Sequence, residues 1–283
     1  MKKFAEFKIY STPFNPDLIS GLLWELDITG ITEEENNLIA YTTLDSKLNE
    51  ESVVHLLTKL KSQNLIESFS VSSQIQEDKN WNEIWENSRE VIRVSDRIVI
   101  KPSFKSYEPK HNDIVITIDP KMSFGTGEHQ TTNLVIKLLE KYIKQGMKIL
   151  DVGSGTGILA ISALKLGASY AVAVDNDEVC FENCLENSKI NAIEERIKII
   201  NGTVTDVIEN DFDFVVANIQ QNVLIEIADE ISKRVKSNGM VILSGLLDND
   251  ETEVIKYYQS LGFKHLDTTV NDEWIALVLI AYR

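Results

Sequence analysis

The sequence has few of the residues on which several classes of protein depend. It contains 2 cysteines and 4 histidines among 283 residues. Cys180 and Cys184 lie four apart in a helical pattern, whereas a disulfide framework uses more cysteines spread over loops. A metal site would need further Cys or His ligands at recognisable spacing, and the histidines are scattered. The composition therefore predicts neither a disulfide-stabilised protein nor a metal site.

Positive charge is also scarce. The chain carries 28 Lys and Arg against 44 Asp and Glu, a formal net charge of −16. Duplex nucleic acid is a polyanion, so a general DNA- or RNA-binding surface is disfavoured. A basic partner would be attracted and steered, although the same acidity could serve solubility alone.

Long apolar runs are missing. The longest, WIALVLIAY at 274–282, has nine residues, against about 20 for a membrane-spanning helix. The N-terminal MKKFAEFKIYSTPF has no apolar run of the length found in a signal peptide. With 43% hydrophobic and 25% charged residues, the composition is that of a soluble globular protein. We expect a cytoplasmic protein, with a monomer as the default, and a chain of this length suffices for two domains.

Residues 1–76 combine strand and helix signals without a glycine-rich turn. The segments FAEFKIY, LIAYTT and LIESFSVSS have the pattern of strands. Apolar residues at helical spacing lie in 16–26 and again in 53–60. This β-α-β-α-β order predicts a small α+β domain with its helices on one face, ferredoxin-like in character.

Residues 77–92 are predicted to form a linker helix between two domains. The segment WNEIWENSREVI follows a polar stretch and places Trp81 and Trp85 four residues apart, on one helix face. A plain surface helix is the alternative, but two exposed tryptophans would be unusual there.

Residues 93–283 alternate strand and helix patterns. Short strands in RIVI and DIVITI come first, and several βα units with nearly continuous apolar strands follow. That pattern predicts a mainly parallel, Rossmann-like α/β sheet covered by helices on both faces. The last two strands, joined by the turn VNDE, have the pattern of an antiparallel C-terminal hairpin at the edge.

A glycine-rich loop, DVGSGTG at 151–157, directly follows a predicted strand and opens a helix. Glycines let the backbone turn tightly and come close to a ligand. The dinucleotide fingerprint G-x-G-x-x-G is not met, because the third glycine comes one residue early and Ile158 fills the expected position. A tight turn without a ligand remains the alternative.

Asp175 ends the next predicted strand, YAVAVD. A carboxylate there can accept hydrogen bonds from ribose hydroxyls, which occur both in NAD and in S-adenosylmethionine. Asp151, at the head of the glycine loop, would repel a pyrophosphate but could serve the ammonium group of S-adenosylmethionine, directly or through water. The combination favours S-adenosylmethionine over a dinucleotide.

Two further polar side chains follow predicted strands. Asn218 ends FDFVVAN, at the carboxyl end where ligands of open α/β sheets bind. Its acceptor oxygen can orient an amine, and satisfying a local turn is the alternative. Asp206 lies where an adenine amino group could be met, with helix capping as an equal alternative.

A second pair of glycines lies upstream, in FGTGEHQTT. This is not a nucleotide P-loop, because G-x-x-x-x-G-K-[ST] is absent. Phe124 beside two glycines predicts a flexible lid with an aromatic stop beside the methyl end of the cofactor. Glu128 and His129 are candidate acid/base residues, with a structural role as the alternative. Thr131 and Thr132 would cap the helix that follows.

Together, DPKMSFGTGEHQTT, ILDVGSGTGILAISALKLGA, AVDND, VVANI, LSGLL and the terminal EW resemble the ribosomal protein L11 methyltransferases of bacteria. The resemblance runs through the whole catalytic half and extends more loosely through the linker and the N-terminal domain. GSGTG is generic to class I methyltransferases, whereas F-G-T-G-x-H-x-T-T at this distance is much more specific. Two departures are Ser154, where members often have Cys, and Gln220-Gln221, where many carry an apolar residue.

The resemblance implies a class I methyltransferase domain at 93–283, a substrate-recognition domain at 1–76 and a linker that lets them move. It implies methyl transfer from S-adenosylmethionine to amino groups of ribosomal protein L11, at the N-terminus and at lysines, up to the trimethylated state. No direct binding to nucleic acid or membranes is expected. The cofactor-binding positions that it carries over are Thr132, Gly153, Asp175 and Asn218, with Phe124, Thr126 and Gly155 as neighbours.

Three alternatives remain open at this point. A nicotinamide-dependent oxidoreductase would be rejected by a titration in which S-adenosylhomocysteine binds and NAD(H) does not. A methyltransferase for nucleic acid or a small molecule is disfavoured by the negative charge and by the dedicated N-terminal domain. A non-catalytic module is disfavoured by the intact glycine loop, Asp175 and Asn218. No residue convincingly supplies a general base, and methyl transfer to a desolvated amine needs none.

Overall fold

A computed structural model describes residues 3–23, 26, 28–34, 36–44, 46, 48–77, 90–119 and 123–282. The chain divides into two compact units, Met1–Ile84 and Trp85–Arg283. Most of the linker helix predicted at 77–92, including Trp81 and Trp85, falls on 78–89, outside the described residues. The domain boundaries at 76 and 93 stay predictions.

The N-terminal unit is built on a four-stranded antiparallel sheet with strand order β2-β3-β1-β4. The predicted order lacked one strand, β2, because its sequence GITEE is polar and largely exposed at the edge of the sheet. With that strand the order is β-α-β-β-α-β, the ferredoxin-like arrangement expected. The elements are β1 (Lys3–Thr12), α1 (Pro16–Leu23), β2 (Gly30–Glu34), β3 (Asn37–Thr43), α2 (Glu50–Ser62) and β4 (Ser68–Glu77).

Both helices of this unit pack on the same face of the sheet. The side chains of Phe7 from β1, Ile19 from α1 and Leu57 from α2 lie in a single buried cluster. Helix α2 begins with a capping box, in which the Asn49 side chain accepts from the Ser52 N–H at 2.9 Å and the Ser52 hydroxyl oxygen accepts from the Asn49 N–H at 3.0 Å.

The C-terminal unit opens with a small three-stranded sheet and continues into a seven-stranded one. The small sheet consists of β5 (Ile92–Arg93), β6 (Ile98–Lys101) and β7 (Ile114–Thr117). The following elements are α3 (Gln130–Tyr142), β8 (Lys148–Val152), α4 (Ile158–Lys165), β9 (Tyr170–Asp175), α5 (Glu178–Ile190), β10 (Ile197–Asn201), β11 (Phe212–Asn218), α6 (Gln221–Glu226), α7 (Ala228–Arg234), β12 (Val235–Leu247), α8 (Glu251–Ser260), β13 (Phe263–Asn271) and β14 (Trp274–Ala281).

The large sheet has the strand order β10-β9-β8-β11-β12-β14-β13. The first five strands in this order are parallel, and β14 and β13 are antiparallel to their neighbours. The predicted hairpin is confirmed: Asn271 pairs with Trp274 across a two-residue turn, and Asp272 takes a φ of +52°. Of the two hairpin strands, only β13 lies at an edge of the sheet, because β14 inserts between β12 and β13.

Helices cover both faces of this sheet, as the apolar strands predict. Neighbouring residues of β8 point to opposite sides, so Ile149 belongs to the cluster that contains α3 and α4, and Leu150 to the one that contains α6, α7 and α8. The segment NVLIEIADEISKRVK forms two helices, because Ile227 leaves helical geometry at ψ 3°. None of the helices among the described residues is long and apolar enough to cross a bilayer.

The two cysteines are free thiols on α5, and Cys184 is buried. Burial raises the pKa of both thiols, which keeps them protonated. In the part of the chain that the structure describes, no three His, Cys, Asp or Glu side chains are grouped to hold a metal ion.

Strand order reverses between β8 and β11, which lie side by side at the centre of the sheet. Loops that leave the carboxyl ends of two such strands diverge to opposite faces, and a crevice opens between them. The chain that follows β8 carries the glycine loop, and β11 ends at Asn218. The fold therefore places the two sequence motifs at the crevice.

Candidate active site

The loop after β8, residues 153–157 and hereafter the GSGTG loop, needs glycine at alternate positions. Gly153, Gly155 and Gly157 have φ angles of +71°, +52° and +79°, in the left-handed region where other residues are strained. A Cβ on Gly153 would lie 2.5 Å from the Ile219 side chain, and one on Gly155 would lie 2.3 Å from the carbonyl oxygen of Phe124. Both backbone shape and close packing therefore exclude side chains from this loop.

The loop before α3, residues 123–129 and hereafter the FGTG loop, is bonded directly to the GSGTG loop. The Thr156 N–H donates to the Phe124 carbonyl oxygen at 2.9 Å, and the Thr156 hydroxyl donates to the Gly125 carbonyl oxygen at 2.7 Å. A Cβ on Gly125 would lie 2.7 Å from the same hydroxyl. The two glycine loops thus form one packed structure, and the FGTG loop is part of the crevice.

Three aromatic rings lie in a row at the FGTG loop. The Phe124 side chain is 54% exposed, and its ring centroid lies 5.4 Å from that of His129. The His129 ring in turn lies 5.1 Å from Trp274, the first residue of β14. These distances are in the range of favourable aromatic contacts. A partly exposed row of aromatic rings therefore borders the FGTG loop.

His129 is the N-cap of α3. Its side chain accepts from the Thr131 N–H, and its Nδ1 lies 2.7 Å from the Thr131 hydroxyl. The prediction that Thr131 and Thr132 cap this helix is wrong, because both lie inside its first turn and are fully buried. Of the two roles considered for His129, the structure shows the structural one. Glu128 lies beside it, exposed, with its N–H donating to the Thr126 hydroxyl.

Asp175 lies at the end of β9 and faces the GSGTG loop. Its Oδ2 accepts from the Gly155 N–H at 2.8 Å, and its Oδ1 accepts from the Asp177 N–H at 3.1 Å. The residue is half-buried, and a carboxylate oxygen has two lone pairs. Each oxygen can therefore accept one further hydrogen bond from a ligand.

A cavity of 150 Å³ opens beside Asp175. Its walls are mostly apolar, with a polar rim formed by Asp175 and its neighbours. The lining residues are Val152, Gly153, Val174, Asp175, Asn176, Gly202, Thr203, Val204, Ile219, Val223 and Ile227.

Two residues considered from the sequence are not among those that line this cavity. The Asp206 Oδ2 accepts from the Thr203 N–H at 2.8 Å and from the Thr203 hydroxyl at 3.1 Å. Of the two roles considered for Asp206, the structure therefore shows the capping of a turn. Thr126 lines a separate small pocket together with Ile100 and Ile118.

Asn218 ends β11 close to Thr132. Its Nδ2 lies 3.5 Å from the Thr132 hydroxyl, a long hydrogen bond. The Asn218 residue is 9% exposed, and within the described residues its buried Oδ1 has no hydrogen-bond partner. A buried carbonyl oxygen without a donor is costly. Asn218 therefore presents an acceptor that a ligand N–H could satisfy.

Asp151, on β8, is completely buried beneath the start of α4. Its Oδ2 accepts from the Ala160 N–H at 3.0 Å, and its Oδ1 has no partner among the residues described. Burial, with the charge of Asp175 adding to it, raises the pKa of Asp151 to about 7, although the Ala160 N–H opposes the shift. The Asp151 carboxyl group is thus hydrogen-bonded to the first turn of α4. Its position in the sequence did not predict this hydrogen bond.

Two contributors to this site were not singled out from the sequence. Ile219 closes against Gly153 and lines the cavity, but an apolar residue after a buried strand carries no signal of a site. Trp274 was noted only as part of the terminal EW. Its place beside His129 depends on β14 inserting next to β12, which no local pattern predicts.

The fold and the site define the class of protein. Five parallel strands followed by an inserted antiparallel hairpin, with a glycine loop facing an acid on the next strand, form the class I methyltransferase arrangement. The sequence matches the family model for ribosomal protein L11 methyltransferase (PrmA) over residues 20–281. The chain belongs to this family.

Individual relatives agree with this assignment. The ribosomal protein L11 methyltransferases of Acetivibrio thermocellus and Brevibacillus brevis are each 32% identical to this chain, and each alignment covers 98% of both proteins. The crystal structure of a ribosomal protein L11 methylase from Lactobacillus delbrueckii subsp. bulgaricus superposes with a TM-score of 0.65 at 28% identity. That match covers 69% of this chain and all of the other.

The raised pKa of Asp151 gives a prediction about stability. Unfolded Asp titrates near pH 4, so between pH 4 and 7 the folded chain holds a proton that the unfolded chain has lost. The free energy of unfolding should fall as pH rises through this range, by on the order of 4 kcal/mol at most. Asp151→Asn cannot ionise and should flatten this part of the profile. Urea denaturation at pH 5 and pH 8 measures the slope.

Asp229→Asn is the control, because Asp229 is exposed at the start of α7. It should keep the slope of the parent protein. Equal slopes in the parent and in Asp151→Asn would show that Asp151 does not hold this proton.

Proposed function

We propose that this protein transfers methyl groups from S-adenosylmethionine to amino groups of ribosomal protein L11. The acceptors would be the N-terminal α-amine and lysine ε-amines, carried to the trimethylated state. The observation that carries the proposal is the bonding of the two glycine loops through Thr156. These bonds place the FGTG loop, which carries Phe124, next to a cavity suited to a nucleoside. Asn218 lies at the same crevice.

The cavity beside Asp175 fits an adenosine group in shape and chemistry. Asp175 has acceptor capacity for two ribose hydroxyls. Val204, Ile219 and Val223 offer apolar contacts to a base, and Gly153 lets the backbone approach closely. The carboxylate of Asp175 beside the cavity favours a cationic ligand over a pyrophosphate. These features support S-adenosylmethionine, with Thr132, Gly155, Phe124 and Thr126 as further proposed cofactor neighbours.

The chemistry requires a neutral amine. Bound S-adenosylmethionine supplies an electrophilic methyl group on a sulfonium ion. A lysine in water has a pKa of about 10.4 and is mostly protonated at neutral pH. Burial at the crevice and the nearby positive charge lower that pKa, so the proton leaves to solvent before transfer. A general base is not required at any step.

Asn218 and Phe124 would act on the acceptor amine. The free Oδ1 of Asn218 accepts an amine N–H, which aims the nitrogen lone pair and supplies orientation. The exposed ring of Phe124 excludes water from the reacting end. After the first transfers the acceptor carries methyl groups and fewer N–H donors. The faces of Phe124, His129 and Trp274 would then hold the methylated ammonium.

The remaining features fit a basic protein substrate. A net charge of −16 would speed encounter with a positively charged partner. The N-terminal unit would recognise L11, free or on the large ribosomal subunit, without direct contact to nucleic acid. We further propose that the protein is cytoplasmic, since the proposed substrate is a ribosomal protein. A monomer is the proposed default state.

Replacing Asp175 should weaken cofactor binding. Asp175→Asn removes the charged carboxylate that would accept hydrogen bonds from the ribose hydroxyls. Hydrogen bonds to charged groups contribute about 1.5–3 kcal/mol each. The Kd for S-adenosylhomocysteine should rise by about 10- to 100-fold in calorimetric titration. Asp177→Asn, which changes the cap of α5 two residues away, should stay within about threefold. Equal effects of the two substitutions would contradict the assignment.

Replacing Asn218 should reduce turnover more than folding. Asn218→Ala removes the acceptor for the amine, and loss of one such oriented group costs on the order of 10²-fold in kcat. The melting temperature should change little. Asn222→Ala, exposed on α6, is the matched control. Normal turnover by Asn218→Ala would rule out the amine-orienting role.

Substrate identity is tested with a mixture of unmodified ribosomal proteins. The protein and labelled S-adenosylmethionine are incubated with the mixture, and mass spectrometry locates the label. We expect label on L11, at its N-terminal amine and at lysines, with products up to three methyl groups. Label on another protein alone would overturn the substrate while leaving the cofactor assignment intact.

A further inference from the structure

Two asparagines at the end of α5 pair with the backbone that leads into the FGTG loop. The Asn191 side chain accepts from the Thr117 N–H at 3.0 Å and donates to the Thr117 carbonyl oxygen at 2.6 Å. The Asn187 side chain accepts from the Asp119 N–H at 2.9 Å and donates to the Asp119 carbonyl oxygen at 3.3 Å. Each side-chain amide therefore replaces one residue of a neighbouring strand.

Helix and strand spacing explain why this pairing repeats. Four residues of an α-helix rise about 6.0 Å, and two residues of a strand rise about 6.6 Å. Asn187 and Asn191 are four apart, while Thr117 and Asp119 are two apart, so both amides meet the strand in register. Both asparagines are almost completely buried, which makes satisfied amide groups necessary there.

Asn187 makes two contacts that Asn191 does not. Its Nδ2 also lies 3.0 Å from the Thr156 carbonyl oxygen and 2.8 Å from the Asn183 Oδ1, so its two N–H groups are shared among three acceptors, with the 3.3 Å contact to Asp119 the longest. The N–H and hydroxyl of Thr156 already donate to Phe124 and Gly125. Every polar group of Thr156 is thus bonded either to the FGTG loop or to Asn187.

We propose that Asn187 is a positioning residue for methyl transfer, which fixes the FGTG loop relative to the GSGTG loop. It holds Asp119, upstream of the FGTG loop, and Thr156, inside the GSGTG loop, through one planar amide. Its role is to set the distance from Phe124 to the reacting end of the cofactor. The nucleoside cavity beside Asp175 lies outside these contacts. This inference rests on the proposed function.

Asn187→Asp tests the role, with Asn191→Asp as the matched control. Each change keeps the shape and replaces two N–H donors with an acceptor that faces backbone carbonyl oxygens. Only the first change touches Thr156. With L11 as substrate, we expect kcat of Asn187→Asp to fall at least about 30-fold, because a misplaced reacting group is that costly. The Kd for S-adenosylhomocysteine should stay within about threefold, and Asn191→Asp should keep kcat within about threefold.

A second readout does not depend on L11. Hydrogen exchange followed by mass spectrometry reports the peptide that contains Thr156, whose N–H bonds to Phe124. Its exchange should be about tenfold faster in Asn187→Asp and unchanged in Asn191→Asp. If the parent protein does not methylate L11, the proposed function fails, but the exchange result still tests the coupling of the loops.

Three results would overturn the inference: normal kcat in Asn187→Asp, equal losses of kcat in both variants, or unchanged exchange at Thr156. If Asn187→Asp does not fold, Thr156→Val loosens the two loops at another bond, one that does not involve Asn187. It keeps the shape and removes the hydroxyl bond to Gly125. A fall in kcat with an unchanged Kd for S-adenosylhomocysteine supports the role, and an unchanged kcat contradicts it.

Discussion

Thr156 lies where three pieces of chain meet, and its hydrogen bonds leave little freedom to any of them. Its N–H and hydroxyl reach carbonyl oxygens of Phe124 and Gly125, and its own carbonyl oxygen accepts from Asn187. Glycine is required around it because a Cβ on Gly125 would meet the Thr156 hydroxyl, and one on Gly155 would meet the Phe124 carbonyl oxygen that accepts from Thr156. The close packing of the two loops is therefore the constraint on which the candidate site depends.

This packing separates two tasks within one crevice. The side with Asp175 and the apolar cavity offers hydrogen bonds and shape to a nucleoside. The other side offers an exposed aromatic ring and the unsatisfied oxygen of Asn218. The proposed methyl transfer to an amine needs mainly removal of water and correct alignment. The cavity beside Asp175, held next to Phe124 and Asn218, would meet that need without an acid or a base.

Local patterns in the sequence predicted the larger part of the fold. Apolar strands buried on both faces, the turn VNDE and the glycine loop each identify their structure from a few neighbouring residues. The edge strand β2 was missed because GITEE is polar and buries little. His129 replaced the threonines as helix cap because its ring reaches the Thr131 N–H, a choice that helix-start statistics do not resolve. The pairing of Asn187 with Asp119 joins residues 68 apart, and no local pattern contains it.

A crystal structure of the protein with S-adenosylhomocysteine tests most directly whether the two loops share one site. The ribose hydroxyls should lie on Asp175 and the base beside Val204 and Ile219. The sulfur should face Phe124 and Asn218. Thr156 should keep its bonds to the FGTG loop. A ligand bound in the cavity with its sulfur directed away from Phe124, or bound elsewhere, would contradict the account.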